Sequence, residues 1–163
     1  MLIIYHCYGG THSSVIASCI HVGLLPQNRI PSLDEIQNIP IFDRINSQNV
    51  GRIVFIGSDE FGNNIYSLGT KNAKNVVIPA LYDLYYQIYK NTDELILVDT
   101  ESASNLFMKI GGFISMTLKL PIIGRPLVSY GIKHSYNKLV QIVKNTKNKE
   151  RAVKAGKQNQ QIT

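Results

Sequence analysis

The first twenty residues contain the pattern that most narrows the choice of fold: an apolar run, two glycines, and a helix opened by small hydroxyl residues. Residues 3–7 are predicted to form a strand, Gly9 and Gly10 its turn, and Ser13 and Ser14 the first helical turn. This arrangement aims several backbone N–H groups and the positive end of the helix dipole at one place, where phosphate and other anions bind. The sequence therefore predicts an α/β domain that begins with a P-loop-like strand-turn-helix.

The backbone of residues 9–14 is the predicted anion cradle, because glycine lets a ligand approach the main chain closely. The segment resembles the phosphate loop of nucleoside triphosphatases, G-x-x-x-x-G-K-[ST], in which only Ser13 keeps its place. His6 and Thr11 replace the two glycines of that loop, and His12 replaces its lysine. We expect His12 to act as the basic clamp. The candidate anion- or nucleotide-binding residues are Gly9, Gly10, Thr11, His12, Ser13, Ser14 and Arg125.

The same segment also resembles the loop of thiol phosphatases, which reads His-Cys-x-x-Gly-x-x-Arg-Ser/Thr. His6, Cys7, Gly10 and Ser14 fit that frame, but Ser13 stands where the arginine should be. Serine cannot clamp phosphate bidentately as arginine does. In this alternative Cys7 is the nucleophile, and Arg125 replaces the missing arginine. A free cysteine at the end of a buried strand is also a common small core residue.

A second informative stretch is the apolar run 95–98 with Asp99 after it. Four apolar residues in succession predict a strand buried on both faces, as in a parallel sheet. If this strand runs parallel to the first, Asp99 lies at the edge where open α/β sheets bind ligands. There Ser13 and Asp99 could hold Mg²⁺, and the candidate catalytic residues are Cys7, His12 and Asp99. An aspartate in this position also caps the turn that follows it, so both interpretations stay open.

The rest of the chain contains an antiparallel hairpin and further helices. Strands are predicted at 52–57 and 64–69, with Asp59 and Glu60 in the turn between them. These two carboxylates could act as acid, base or metal ligand, but we favour the ordinary interpretation that they are solvated.

The remaining patterns predict helices at 74–90, with Pro79 in the first turn, and from 101 to about 118. A short edge strand at 120–124 and a last helix with Pro126 in its first turn follow. Arg125 then stands at a strand-to-helix junction, either as the cation that the loop lacks or as a surface residue. Asp43 and Arg44 either form a surface pair or face the N-terminal site.

Charge and length bound the domain organisation. The chain has 163 residues and a formal net charge of +6, and six basic residues against Glu150 place most of that charge in residues 144–163. We predict a single α/β domain at residues 1–145 and a basic, disordered tail at 146–163. The tail lacks interleaved aromatic residues, which disfavours nucleic acid as a partner. The chain has no apolar run that could span a bilayer and no signal-peptide pattern, so we expect a cytoplasmic protein.

Several sequence blocks, taken in order, resemble an uncharacterised family of spore-forming, Gram-positive bacteria. They are HCYGGTHSS, SDEFGN, LILVD, IGGF and GRPL, and they extend over residues 1 to about 145. The resemblance implies a bacterial cytosolic protein of a domain-of-unknown-function family. It implies no activity, cofactor or catalytic residue.

Three functional hypotheses follow from the residues. The first is a protein that binds phosphate or a nucleotide at the Gly9–Ser14 loop, either as a hydrolase or transferase or without catalysis. The second is a cysteine-dependent, thiol phosphatase-like enzyme that uses Cys7. The third is a non-catalytic binding or regulatory module whose partner docks elsewhere. The sequence leaves open whether the protein is an enzyme.

Overall fold

The computed structural model describes residues 1–43 and 51–160, with side chains described up to residue 156. Arg44 lies outside the described residues. The secondary structure runs β1 (Leu2–Cys7), α1 (Ser13–His21), α2 (Leu33–Gln37), β2 (Ile53–Ser58), β3 (Asn64–Gly69), α3 (Lys74–Tyr89), β4 (Leu95–Asp99), α4 (Leu106–Gly112) and α5 (Pro121–Gln160). Short 3₁₀ turns at Lys71–Ala73 and Glu101–Ala103 follow β3 and β4, and a π turn at Phe113–Thr117 follows α4.

The strands form a four-stranded sheet in the order β2-β3-β1-β4. Strand β1 pairs in parallel with both β3 and β4, whereas β2 and β3 form an antiparallel hairpin. This confirms the predicted α/β class, with a mostly parallel sheet, flanking helices and one hairpin. The expectation that β4 is buried on both faces is wrong. β4 is an edge strand, and after Leu95 its residues are only half-buried or exposed.

The side chains of each strand alternate between the two faces of the sheet, so the buried apolar residues form two clusters. Ile3 and Tyr5 of β1 face the main core, which α1 and α5 cover. Ile4 faces the opposite side of the sheet, together with Leu68 and Leu95, and side chains of helix α3 pack against this second cluster. Because successive strand side chains point to opposite faces, neighbouring residues of β1 belong to different surroundings.

Helix α1 is buried over its whole length, between the sheet and α5. Its hydroxyl residues are small enough to let the helix approach the strands, and they find partners there. Ser18 Oγ, for example, donates to the Tyr66 carbonyl at 3.1 Å. Buried polar groups of this kind are tolerated when they are hydrogen-bonded.

The prediction of a strand at 120–124 is wrong: residues 121–124 form the beginning of α5, and Leu120 precedes the helix. Pro121 takes the first helical position, where a missing N–H costs nothing, and Pro126 lies inside the helix. The apolar residues between the two prolines suit a helical turn as well as a strand. Tertiary packing selects the helix, because α5 packs closely against α4 at Gly124. A Cβ on Gly124 would lie only 2.5 Å from the Gly111 carbonyl oxygen of α4. Pro79 similarly lies inside α3, beyond the first turn.

Residues 146–160, for which the sequence predicts a disordered tail, belong to α5, which continues to Gln160. Thr146, Lys147 and Glu150 are buried in this part of the helix. Lys147 Nζ donates to the Glu60 carboxylate of the hairpin turn at 2.7 and 2.8 Å. The basic composition of this segment favours disorder, but these side chains are buried against other parts of the fold. Composition alone does not reveal such long-range contacts.

In the part of the chain that the structure describes, none of the helices combines the length and apolar character that crossing a bilayer requires.

Candidate functional site

A cleft of about 650 Å³ lies at the edge of the sheet where the parallel strands end. Its walls come from the loop after β1, from Lys71 and Asn72 after β3, and from Glu101 and Ser104 after β4. Helix α4 and the π turn after it form the remaining side. In the parallel register Cys7 pairs with Gly69 and His6 with Asp99, so the three strands end side by side. Open α/β sheets bind ligands in this position.

Four of the residues predicted from the sequence line the cleft: Cys7, Gly9, His12 and Ser13. A Cβ on Gly9 would meet Thr11 Cγ2 at 3.7 Å and no other heavy atom within 4 Å beyond its chain neighbours, among the described residues. The main chain at Gly9 is therefore open to close approach by a ligand. His12 is the N-cap of α1, so the N-terminal end of that helix also meets the cleft.

Gly10, Thr11 and Ser14, which were also predicted to bind the anion, are buried and lie behind the cleft wall. Gly10 has a φ of +69°, and a Cβ there would lie 2.3 Å from Gly69 N. This glycine is thus needed for the close crossing of two backbones rather than for a ligand. Ser67 Oγ lies 2.8 Å from Ser14 Oγ and 3.0 Å from the Gly10 carbonyl oxygen, which ties the loop to β3.

Cys7 lies at the end of β1 with two hydrogen-bonding groups at its sulfur. The Gly10 N–H donates to Sγ at 3.2 Å, and Ser14 Oγ lies 3.2 Å from the same atom. The other cysteine has different surroundings: Cys19 is fully buried in the core, and burial raises the pKa of its thiol to about 12. Cys7 is therefore the cysteine that borders the cleft.

His12 is held by Asp43, whose carboxylate is buried. Asp43 Oδ1 lies 2.8 Å from His12 Nε2, Ser115 Oγ donates to Oδ2, and Arg125 Nε lies 3.5 Å from Oδ2. Burial opposes ionisation of this carboxyl, but the hydrogen bonds from His12 and Ser115 and the charges of His12 and Arg125 together lower the pKa of Asp43. Of the two interpretations of Asp43, the structure supports the one in which it faces the N-terminal site.

Arg125 interacts with Asp43 and does not line the cleft, although the sequence suggested it as the phosphate clamp. Its guanidinium Nη2 also donates to the Asp43 carbonyl at 3.5 Å. Among the described residues, the lysines that line the cleft are Lys71 and Lys109. Sequence reasoning missed both. Lys71 comes two residues after the predicted strand 64–69, and only the parallel pairing of β3 with β1 shows that this strand ends at the edge where the cleft lies.

Asp99 lies on the other face of the sheet from α1. It pairs with Lys74, accepts the Glu101 N–H at 2.7 Å, and borders a separate pocket of about 340 Å³ with His6. Burial opposes ionisation of Asp99, but the hydrogen bond from Lys74 and the Glu101 N–H lower its pKa. Ser13 Oγ instead meets Thr100 Oγ1 at 3.1 Å. The predicted magnesium pair, Ser13 and Asp99, is therefore not brought together. Successive residues at the end of β4 point to opposite faces of the sheet, so Ser13 meets Thr100, whereas Asp99 faces the other side.

These features define the class: an open α/β protein with a candidate site at the carboxyl edge of its parallel strands. The chain belongs to the family described as protein of unknown function (DUF3189), whose model matches residues 2–148. The resemblance to an uncharacterised family is thus confirmed. No curated protein and no solved structure matches the chain.

Proposed function

We propose that the cleft binds a small phosphorylated molecule or a nucleotide. The observation that carries this proposal is the meeting of three anion-attracting features in one concavity: the open main chain at Gly9, the N-terminal end of α1, and the side chains of Lys71 and Lys109. Backbone N–H groups and a helix dipole favour negative charge, and lysine adds a full positive charge. The position of the cleft at the carboxyl edge of the sheet gives further support.

A hydrolase or transferase activity would use His12. Asp43 contacts one ring nitrogen of this histidine, and such a carboxylate orients an imidazole for proton transfer. Binding without turnover would instead indicate a binding or regulatory module. Ser13 and Asp99 do not support a magnesium site in the form expected from the sequence, because their side chains have separate partners.

The binding proposal predicts a ligand-dependent rise in melting temperature that depends on the two lysines. A thermal-shift screen would use phosphate, sulfate, nucleotides and phosphorylated metabolites, with and without Mg²⁺. In the Lys71→Met, Lys109→Met variant we expect affinity for the best ligand to fall by about 10-fold or more for each lysine, because each loses a charge-assisted hydrogen bond.

The matched control is Lys90→Met, Lys149→Met, which removes the same charge from exposed positions outside the cleft. This control should keep the full shift. The proposal is wrong if folded wild type shifts with none of these anions. It is also wrong if the two double variants lose the shift equally, because the effect would then come from net charge.

A thiol phosphatase-like reaction is the second candidate, and one observation favours it: the Gly10 N–H and the Ser14 hydroxyl both meet Cys7 Sγ. Cys7 Sγ would form a bond to phosphorus while the P–O ester bond breaks, and the alcohol would leave with a proton. Water would then cleave the S–P bond, which releases phosphate and restores the thiol. The absence of an arginine at position 13 counts against this candidate, and Arg125 does not fill that role because it is held by Asp43.

The thiol candidate predicts that Cys7→Ser abolishes hydrolysis of an aryl phosphate, with a loss of about 1,000-fold or more, as for other nucleophile replacements. Ligand-induced stabilisation should survive, since serine is nearly isosteric. Cys19→Ser is the control and should retain activity if it folds. Equal turnover in wild type and Cys7→Ser would rule out the thiol route and leave the binding proposal intact.

A further inference from the structure

A second polar cluster lies in the interior, away from the cleft. It consists of His21 at the end of α1, Asp59 in the β2–β3 turn and Glu150 on α5, all buried. His21 Nε2 lies 3.4 Å from Asp59 Oδ2 and 3.4 Å from Glu150 Oε2. The expectation that Asp59 is solvated is therefore wrong. Three elements that are distant in the chain place one ligand-type atom each within 4.8 Å of the others.

Two of these atoms have no hydrogen-bond partner among the residues that the structure describes: His21 Nε2 and Glu150 Oε2. Both side chains are fully buried and aim these atoms into the cluster. A buried polar atom without a partner is costly, so its presence requires an explanation. A cation bound between the three side chains satisfies both atoms at once.

The remaining atoms of the cluster are held by neighbours that would orient them toward such an ion. Tyr5 OH lies 2.7 Å from His21 Nδ1, which leaves Nε2 facing the carboxylates. The Asn63 amide donates to Asp59 Oδ2 at 2.9 Å and also to Glu150 Oε1. Partners of this kind, which fix the rotamers of ligating histidines and carboxylates, are a regular part of metal sites.

The charge balance also favours a cation. Asp59 and Glu150 bring two carboxylates into a buried space, whereas the neighbouring Lys147 pairs with Glu60 at 2.7 Å. Burying charged groups without compensation is strongly unfavourable.

We propose that His21, Asp59 and Glu150 bind one divalent transition-metal ion, for which Zn²⁺ is the best fit. With metal–ligand bonds of about 2.1 Å, the ligand atoms of a tetrahedral site lie about 3.4 Å apart. Both separations from His21 Nε2 have this value. One imidazole nitrogen and two carboxylates suit Zn²⁺, Mn²⁺ or Co²⁺, whereas Mg²⁺ and Ca²⁺ prefer all-oxygen sites with more ligands.

The ion would join α1, the hairpin turn and the last part of α5. Glu150 belongs to the segment for which the sequence predicts disorder, so the site gives a physical reason for that segment to dock as a helix. This proposal is independent of the cleft and of the function proposed for it.

The test uses the full chain, treated with a chelator and then incubated with Zn²⁺, Mn²⁺, Co²⁺ or Mg²⁺. We expect one bound Zn²⁺ per chain by elemental analysis and a rise in melting temperature of about 5–10 °C at a 100-fold excess over Kd, with no effect of Mg²⁺. Co²⁺ should show the visible absorption of a tetrahedral complex. Glu150→Gln and His21→Gln should each weaken binding by about 100-fold or more, because each removes a ligand.

His134→Gln is the matched control, since this histidine is exposed and lies outside the cluster. It should bind metal as wild type does. Measurements on wild type alone decide the proposal even if a ligand variant fails to fold. No bound transition metal and no stabilisation in wild type would overturn it. Metal binding that survives both ligand variants would also overturn it.

Discussion

Replacing Gly10 with alanine should lower the free energy of unfolding by about 3–5 kcal/mol. The backbone at Gly10 has a φ of +69°, which is unfavourable for a residue with a Cβ. The new Cβ would also lie 2.3 Å from Gly69 N and 2.6 Å from Gly69 Cα, so two backbones would have to move apart. Strain and overpacking each cost about 1–3 kcal/mol.

Gly9→Ala provides the matched control one residue earlier. The Cβ of that alanine would contact only Thr11 Cγ2, at 3.7 Å, among the described residues, and Gly9 lacks a positive φ. We expect a change of less than about 1 kcal/mol, measured by chemical denaturation of both variants beside wild type. If both variants are equally stable, Gly10 is not the packing glycine that the structure indicates. If Gly10→Ala alone fails to fold, the prediction holds in its strongest form.

The second large effect is expected for Asp43→Ala, which should destabilise the protein by about 2–4 kcal/mol. The variant leaves His12, Ser115 and Arg125 without their shared carboxylate, and removing one partner of a buried charged network is costly. Arg125 is 28% exposed, so water compensates part of the loss. Alanine is also strained at the φ of 54° that Asp43 adopts.

The effect of this variant should depend on pH. The folded state lowers the pKa of Asp43, so its ionised form contributes stability above the unfolded pKa of about 3.9. That contribution is lost as the pH falls through the lower, folded-state pKa. The difference between wild type and Asp43→Ala should therefore be full near neutral pH and shrink below about pH 4.

Denaturation curves at several pH values would measure this difference. Asp83→Ala, at an exposed site on α3, is the control and should change stability by less than about 0.5 kcal/mol at every pH. Asp43→Asn keeps the shape of the side chain and tolerates positive φ, so it separates the loss of charge from the loss of packing. A pH-independent difference for Asp43→Ala would contradict the role assigned to the carboxylate.

Local sequence patterns were enough to predict the elements that bring the site together. The β1-turn-α1 unit and the β2–β3 hairpin are both predicted from the sequence and present in the structure. Each depends on residues near one another in the chain: an apolar run, or glycine in a turn. The edge of the sheet at which the cleft lies also follows, because parallel strands end together.

The sequence could not show which member of a local pattern faces the cleft. Gly9 and Gly10 are equivalent in the sequence, and only the approach of Gly69 decides that Gly10 serves packing. Lys109, on α4, likewise reaches the cleft only because that helix forms one of its walls. These facts depend on contacts between distant segments, for which a single sequence carries no local signal.

What the sequence by itself determined is the fold class, the order of the strands and helices around the candidate site, and the strand-turn-helix at residues 2–21, because short-range periodicity and turn chemistry specify them. Only the tertiary structure decided the side-chain environments. Asp99 lies on the α3 face through strand alternation, Asp43 joins His12 across the chain, and Glu150 is buried against the hairpin turn. Burial and pairing arise from long-range packing, and composition alone therefore misassigned the last turns of α5 to a disordered tail.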